Sequence, residues 1–295
     1  MRFVTFSQDH RARVGLMAGE KVIDLNLADA GISSDMRSFV EAGPVALERA
    51  AAVFRQWAEG RLPAATAFTL TDLQLLAPIP NPSKVVAVGA NYLDHCREAG
   101  VEPPQSPILF AKFPTAVIGP GGAIEWDPAL TARVDYEAEL AVVIGRRARH
   151  VPAARAFDII FGYTCANDVT ARDLQASDGQ WVRSKSLDTF CPLGPVLVTR
   201  DELPEPGRQS IACRVNSETL QDSNTSEMIF DIPALIAFIT RAFTLLPGDV
   251  ILTGTPHGTG GFRQPNVFLK NGDVVEVEVE NVGVLRNPCR EVSHR

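Results

Sequence analysis

Alternating and helical spacings of apolar residues divide the first 60 positions into a few elements. Residues 3–6, 13–17 and 21–25 read as strands, and the last two would form a hairpin around residues 18–20. A helix is predicted over 44–59, because apolar residues recur there at helical spacing. Its predicted core stripe comprises Leu47, Ala50, Ala51, Phe54 and Trp57.

Prolines at alternate positions of the segment 77–83 favour an extended backbone and exclude a helix. We therefore predict a domain boundary here, with a small N-terminal domain over 1–78 and a larger domain over 79–295. The larger domain would open with a strand at 84–89 and continue mostly as short β runs separated by Gly, Pro and Asp. Its predicted helices are 168–178 and 232–243.

Composition narrows the class of protein. With 295 residues and 45% apolar positions, the chain can bury a sizeable core, and its net charge of −7 speaks against a nucleic-acid binder. Five dispersed cysteines without a CxxC pair indicate free thiols in a reducing compartment. Without a signal-like start or an apolar run of about 18 residues, the sequence predicts a cytoplasmic protein that does not enter a membrane.

Two carboxylates precede the most apolar strand of the chain. Glu137 and Glu139 would share one face, because side chains alternate along a strand, and the run 140–144 behind them is apolar on both faces. Burying two unpaired carboxylates together costs several kcal/mol each. A divalent metal ion would compensate them, since hard cations such as Mg²⁺ bind carboxylate oxygens.

Spacing alone leaves a second interpretation open. Glu276, Glu278 and Glu280 have the same period and alternate with valines, which is typical of a strand with one solvated face. The first pair differs by its two-sided apolar run and by a candidate third ligand, Asp168. Asp135 shares the face of the first pair, where it would either support the site by pairing with a base or belong to an exposed strand end.

The residues after Asp168 also fit two interpretations. On the predicted helix 168–178, Asp168, Arg172 and Gln175 would lie on one face, as a metal ligand and two groups that orient an anion. Asp168 could equally be a helix N-cap that forms a salt bridge with Arg172 on a solvated face.

Other candidate chemistry lies in three short segments. His95 and Glu98 would touch on a short helix and form a general-base pair, or be ordinary surface neighbours. Lys185, in the predicted loop 181–195, could bind a carboxylate or stabilise an enolate, or be solvated. Thr255 follows a strand at 249–252, in a turn whose backbone and hydroxyls could bind a carboxylate, or in a plain turn.

Eight segments in this order resemble the fumarylacetoacetate hydrolase family, over about residues 80–290. The residues before them resemble the small leading domain of the longer bacterial members. The segments are NYLDHCREAG, LFAKFP, VDYEAELAVVIG, GYTCANDVTARDLQ, KSLDTFCPLGP, NTSEMIF, LLPGDVILTGTPHGTG and GDVVEVEVENVGVLRNP.

The resemblance implies an α+β fold, a mixed β-sandwich roll with a small N-terminal α/β domain, in a homodimer. It implies Mg²⁺ or Mn²⁺, with Ca²⁺ as a crystallographic substitute, bound by Glu137, Glu139 and Asp168. It further implies that Arg172, Gln175, Lys185 and Thr255 contact the substrate and that His95 and Glu98 are a catalytic pair on a lid. A further metal carboxylate and an acidic site residue of the mammalian namesake have no identifiable counterpart here, which speaks against fumarylacetoacetate itself as the substrate.

The function expected from these features is metal-dependent hydrolysis of a carbon–carbon bond in a 2,4-diketo acid, an acylpyruvate. The metal and Lys185 would stabilise the enolate, and His95, oriented by Glu98, would activate water. The alternative is an oxaloacetate-type decarboxylase, isomerase or dehydratase, which needs the same enolate chemistry. A binder of small carboxylates without catalysis is the remaining class. The distal group of the substrate would be recognised by residues 92–105 and 256–266.

Overall fold

The computed structural model describes residues 1–293, within which the chain forms 19 strands and seven α-helices. The strands are β1 (Arg2–Gln8), β2 (Arg11–Ala18), β3 (Lys21–Asp24), β4 (Ala67–Thr69), β5 (Gln74–Leu76), β6 (Val85–Gly89), β7 (Ile108–Lys112), β8 (Val117–Ile118), β9 (Ile124–Trp126), β10 (Val134–Asp135), β11 (Ala138–Ile144), β12 (Ile160–Asn167), β13 (Thr170–Ala171), β14 (Cys191–Thr199), β15 (Ser210–Val215), β16 (Glu218–Asn224), β17 (Val250–Leu252), β18 (Val274–Val279) and β19 (Gly283–Glu291). The helices are α1 (Leu25–Ala28), α2 (Met36–Ala42), α3 (Pro44–Ala58), α4 (Leu93–Ala99), α5 (Arg172–Asp178), α6 (Val182–Lys185) and α7 (Ile232–Ala242). His294 and Arg295, the last residues of the predicted domain 79–295, lie outside the described residues.

A long mixed sheet runs through the molecule in the order β4–β3–β2–β1–β14–β12–β11–β17–β6–β7, with β5 beside β1 and β8 beside β14. Most neighbouring strands are antiparallel, but β17 pairs in parallel with β6, and β14 with β8. A second sheet has the order β16–β15–β18–β19–β9, and β10 pairs with β13. These sheets and the few helices form a mixed α+β fold, which confirms the predicted class.

The central strand β11 is buried along its whole length, as its two-sided apolar run predicts. Leu140, Val142 and Ile144 belong to the hydrophobic cluster that the five-stranded sheet completes. Ala141 and Val143 point to the other face, into the cluster that includes residues of α2 and α3. The carboxylates at the start of this strand are therefore held on a rigid, fully covered element.

The predicted hairpin and helix of the first 78 residues are present as β2–β3 and α3. The predicted core stripe of this helix is wrong at one position. Phe54 is 42% exposed, whereas Ala46, Ala50 and Val53 are buried. The helix buries the face that carries its small residues, and this places Phe54 on the solvent side. The helix predicted over 232–243 is confirmed as α7.

The long sheet passes without a break from the N-terminal strands to the rest of the chain, because β1 pairs with β14. The ring of Phe3 also lies 4.9 Å from that of Phe39 and 6.2 Å from that of Phe161. The division at residues 78/79 stays a prediction. All five cysteines are buried free thiols. Across residues 1–293, every helix is too short or too polar to cross a bilayer.

Candidate metal and active site

Three carboxylates meet where β11 and β12 pair. Ala138 lies opposite Asn167 and Glu139 opposite Ala166, so Asp168, which follows Asn167, lies beside Glu137. The Asp168 backbone N–H donates to the Glu137 carbonyl oxygen over 2.9 Å, and the Glu137 N–H donates to the side-chain oxygen of Asn167 over 2.9 Å. Carboxylate oxygens of Glu137, Glu139 and Asp168 lie within 4.8 Å of one another, and all three residues are buried.

The predicted helix 168–178 is wrong at its start. Asp168 precedes β13, which pairs with β10, and α5 begins only at Arg172. The backbone after β12 is thus committed to strand pairing, which the polar segment after Asp168 does not reveal. The proposed single helical face of Asp168, Arg172 and Gln175 therefore does not exist. Arg172 and Gln175 do share α5, where Nη1 of Arg172 donates to Oε1 of Gln175 over 3.0 Å.

Two buried lysines contact the carboxylates. Nζ of Lys185 lies 2.7 Å from Oε2 of Glu137 and 2.6 Å from Oδ2 of Asp168. Lys185 ends the short helix α6 rather than lying in a loop. Nζ of Lys112 donates to Oδ1 of Asp168 over 2.6 Å and to the Val169 carbonyl over 3.1 Å. Lys112 is a site residue that the sequence did not predict, and its place in the segment LFAKFP was the only signal for it.

Arg172 connects the metal-site carboxylates to a further acidic residue. Its Nε donates to Asp135 over 2.7 Å, and its Nη2 donates to Glu137 over 2.5 Å. Asp135 also accepts the backbone N–H groups of Gly260 and Gly261, over 2.7 and 2.8 Å. Asp135 is therefore the buried partner of a base, the first of its two predicted environments, and it fixes the guanidinium plane.

The charges of the cluster do not balance. Four buried carboxylates (Asp135, Glu137, Glu139, Asp168) face three cations (Lys112, Arg172, Lys185), so 4 − 3 leaves one negative charge in excess. Burial favours a neutral Glu137, but Lys185 and Arg172 outweigh burial and hold its pKa at about 2. Burial, then Asp168 and Glu137, raises the pKa of Glu139 well above its usual range.

Glu139 is the carboxylate that the three cations leave uncompensated, and its surroundings fit a further cation, which would favour its ionised form. Its Oε2 accepts the N–H of Gly254 over 2.7 Å, while its other oxygen has no hydrogen-bond donor among the described residues. Gly254 has φ +102°, and a Cβ there would lie 2.8 Å from Cβ of Asn91, so a larger residue could not bring its N–H so close. Three buried carboxylates with one uncompensated charge are a donor set that suits a hard divalent ion.

A histidine–carboxylate pair lies on α4. Nδ1 of His95 is 3.3 Å from Oε2 of Glu98, whose two oxygens also accept the N–H of Gly258 over 2.9 and 3.0 Å. Burial alone would raise the pKa of Glu98, but the hydrogen bonds from His95 and Gly258 lower it below its usual range. An ionised Glu98 holds the proton of His95 on Nδ1, which leaves Nε2 as a proton acceptor. The ring of Phe262 packs edge-on against His95, with centroids 5.0 Å apart.

A cavity of about 530 Å³ brings most of the predicted site residues together. Its wall includes His95, Glu137, Glu139, Arg172, Gln175, Lys185 and Thr255, whereas Asp168 and Glu98 are not part of the wall and contact its residues Lys185 and His95. Oγ1 of Thr255 accepts a hydrogen bond from Gln221 over 2.9 Å, so its own proton remains for a ligand. The segments predicted to recognise the distal group contribute Val101, Glu102 and Phe262 to the same cavity.

Comparisons with known proteins show what the chain is similar to. Residues 84–290 match the family model described as fumarylacetoacetate (FAA) hydrolase, C-terminal. A mitochondrial oxaloacetate tautomerase of Rattus norvegicus is 44% identical over 292 residues, which cover 97% of this chain and 91% of that protein. The solved structure of a fumarylacetoacetate hydrolase from Exiguobacterium antarcticum is 37% identical, with a TM-score of 0.85 over 99% of this chain and 100% of that one.

A more distant structure contains ligands. It is maleylpyruvate hydrolase from Sphingobium sp. SYK-6, in complex with manganese(II) and pyruvate. It is 27% identical to this chain, with a TM-score of 0.80 over 99% of this chain and 100% of that one.

Proposed function

Because the chain belongs to the fumarylacetoacetate hydrolase family, we propose that it is a keto-acid enzyme that interconverts the keto and enol forms of oxaloacetate. The observation that carries the proposal is the buried cluster in which Lys185 bridges Glu137 and Asp168 on the cavity that His95 also lines. The 44% identity to an oxaloacetate tautomerase over almost the whole chain favours this oxaloacetate-type reading over acylpyruvate hydrolysis, the function first expected from the sequence.

Glu137, Glu139 and Asp168 would hold a divalent ion, Mg²⁺ or Mn²⁺. When bound, the ion supplies Lewis acidity toward the 2-keto oxygen of a substrate. The charge count supports this assignment, since a divalent ion converts the net −1 of the cluster to +1 and so favours an anionic substrate.

The side chains of the cavity would orient the keto acid and move one proton. Arg172, held in place by Asp135, and the hydroxyl proton of Thr255 can bind carboxylate oxygens. Nε2 of His95 can take the proton from C3 as the C2 oxygen gains negative charge. Burial would lower the pKa of Lys185, but Asp168 and Glu137 raise it, so Lys185 stays charged beside that oxygen. Returning the proton to oxygen completes tautomerisation with no net gain or loss of atoms.

Acylpyruvate hydrolysis remains a second candidate because of the His95–Glu98 pair. A histidine whose tautomer is fixed by an ionised carboxylate can also activate water, and water attack on the distal carbonyl of a 2,4-diketo acid would break a carbon–carbon bond. The same cavity and cations would stabilise the departing enolate.

The test compares three reactions of the purified protein with Mg²⁺ and with a chelator. These are loss of the enol absorbance of oxaloacetate, release of pyruvate from oxaloacetate, and release of pyruvate and acetate from acetylpyruvate. We expect fast, chelator-sensitive enol loss without matching pyruvate release. Faster cleavage of acetylpyruvate would favour the hydrolase, and pyruvate from oxaloacetate at the rate of enol loss would favour a decarboxylase. Enol loss at the uncatalysed rate would contradict the proposal.

A further inference from the structure

One wall of the cavity is apolar and begins directly beside the carboxylate cluster. Nζ of Lys185 lies 4.9 Å from the centroid of the Phe110 ring, and this ring packs edge-on against Trp181, with centroids 5.3 Å apart. Val101 and Ile108 continue the same wall. We call these four residues, Phe110, Trp181, Val101 and Ile108, the aromatic slot. In the proposed function Lys185 lies beside the enolate oxygen. A substituent on the neighbouring carbon would therefore contact this slot.

The position of the Trp181 ring depends on a glycine. Gly89 ends β6, and a Cβ built there would lie 2.5 Å from Cζ3 of Trp181. Only a residue without a side chain allows the indole to pack onto this strand. The slot is thus formed by a specific fit between a strand and a ring.

Two side chains of the slot are exposed although they are apolar. Val101 is 52% and Ile108 is 42% exposed, and both line the cavity. Apolar side chains grouped at the mouth of a site are typical of ligand-binding surfaces. A ligand that reached from the carboxylate cluster across the slot would remove them from water, which favours binding in proportion to the apolar area covered.

Charge disfavours one class of ligand at this end of the cavity. The basic residues of the cavity wall are His95, Arg172 and Lys185, and His95 pairs with Glu98 while the other two pair with the buried carboxylates. The charged group among Val101, Pro104 and Ile108 is the carboxylate of Glu102. A second, distant carboxylate of a long dicarboxylic keto acid would therefore meet an acidic residue instead of a cation.

We propose that the aromatic slot binds an uncharged, planar substituent on C3 of a 2-keto acid, so that arylpyruvates are substrates for tautomerisation in addition to oxaloacetate. This inference rests on the proposed function, because it uses the same proton transfer between C3 and the C2 oxygen. Phenylpyruvate is the simplest probe of this class, and the slot supplies it with ring-to-ring contacts from Phe110 and Trp181.

The first experiment measures binding to the wild-type protein by calorimetry with Mg²⁺ present. Phenylpyruvate is compared with 2-oxoadipate, which has the same 2-keto acid group but a distal carboxylate. We expect phenylpyruvate to bind at least about tenfold more tightly, since an apolar pocket discriminates by such factors. Equal or tighter binding of 2-oxoadipate would overturn the proposal.

The second experiment removes the indole ring and keeps an apolar side chain. In Trp181→Leu, the ratio of kcat/KM for phenylpyruvate to that for oxaloacetate should fall at least about tenfold. Gly89→Ala, which displaces the same ring, should lower the ratio in the same direction. Val182→Ala is the matched control, because Val182 follows Trp181 and is exposed outside the cavity wall. A folded Trp181→Leu with an unchanged ratio would contradict the slot.

Failures of the two proposals can be told apart. Chelator-sensitive turnover of oxaloacetate without preferred binding of phenylpyruvate removes the slot and leaves the proposed function intact. Absence of oxaloacetate turnover removes the proposed function, and the binding comparison then decides alone whether the slot recognises an aryl group. If Trp181→Leu does not fold, Gly89→Ala and the wild-type binding comparison supply the decision.

Discussion

Two strands of this protein carry glutamates at the same spacing, yet only one of these pairs lines the candidate site. Glu137 and Glu139 introduce β11 in the middle of the long sheet and are 5% and 1% exposed. Glu276 and Glu278 lie on β18, where buried valines alternate with partly exposed residues. The two pairs have the same spacing in the sequence and different environments in the fold.

The partners of the two pairs differ accordingly. Arg214 contacts Glu276 over 3.3 Å and Glu278 over 2.7 Å, and Arg286 contacts Glu276 from an exposed position. Exposed ion pairs of this kind contribute about 0–1 kcal/mol. Lys185 contacts both Glu137 and Asp168. The side chains of Lys185, Glu137 and Asp168 are only 3%, 7% and 0% exposed, so water does not screen their charges.

The comparison teaches that the coverage of the strand, not the spacing of its carboxylates, creates the unusual electrostatics. On β18 one face is open, so each glutamate keeps water and an arginine as partners. On β11 both faces are covered, so the carboxylates must be compensated by buried cations. One compensating charge is still missing there, which is the reason to assign a divalent ion to this place.

The largest expected effect is the difference in activity between a glutamate substitution at β11 and the same substitution at β18. Glu139→Gln should lower kcat/KM for the proposed enol–keto conversion of oxaloacetate by about a thousandfold or more, because it removes one of the three proposed metal ligands. The isosteric Glu276→Gln should change kcat/KM less than about twofold. Steady-state kinetics with Mg²⁺ and calorimetric metal binding check both variants. An active Glu139→Gln enzyme, or an inactive Glu276→Gln enzyme, would remove the distinction.

A second prediction concerns the cations of the two strands. Lys185→Met should lower the free energy of unfolding by about 3–5 kcal/mol, because it leaves Glu137 and Asp168 buried without their shared partner. Arg214→Met should lower it by at most about 1 kcal/mol. Urea unfolding of both variants at neutral pH and equal salt measures the difference. Equal losses would show that the two environments are energetically alike.

Metal addition should stabilise the protein through the glutamates at β11 and not through those of β18. At a Mg²⁺ concentration of about 100 times its Kd, the free energy of unfolding should rise by about 2.7 kcal/mol in the wild type and in Glu276→Gln. Glu139→Gln should show little of this gain. Urea unfolding with Mg²⁺ and with a chelator gives the values, and a full gain in Glu139→Gln would contradict the assigned ligand set.

The exposure of Glu98 lies between that of the glutamates of β11 and that of the glutamates of β18, and its substitution gives the smallest predicted effect. Its pKa is lowered in the folded protein, so its contribution to stability is complete above the unfolded value near 4.3 and is lost as pH falls through the lower folded value. Glu98→Gln should therefore cost less than about 1 kcal/mol at neutral pH, and its difference from the wild type should shrink toward pH 3. A difference that stays constant over this range, measured by thermal unfolding, would argue against the hydrogen bonds assigned to Glu98.

Local patterns were sufficient for several elements of the fold. The run at Leu140 and Val142 predicted a strand covered on both sides, and the valines around Glu276 predicted a strand open on one side; both predictions are confirmed. The period of side chains along a strand carries this information directly. The roles assigned to the candidate site residues, the homodimer and the cytoplasmic location stay predictions.

Other features depend on contacts between distant parts of the chain. Lys112 looks like an ordinary lysine at the end of a strand, and its burial follows from Asp168, 56 positions later. The irregular backbone after Asp168 results from strand pairing with β10, which no local propensity encodes. The environment of Asp135 is set by Gly260 and Gly261, about 125 positions away. Such pairings become visible only when the chain is folded.

The pairing of β1 with β14 also has a consequence for biosynthesis. The amino group of Met1 donates to Thr199, 198 positions along the chain, so the first strand completes its hydrogen bonds only after that residue has left the ribosome. At translation rates of about 5–20 residues per second, the end of β1 at Arg2 and Phe3 waits on the order of 10–40 s for this partner, whereas β5 reaches the rest of that edge earlier. An unpaired edge can join another chain. This end of β1 is therefore open to pairing with another chain until β14 has been synthesised.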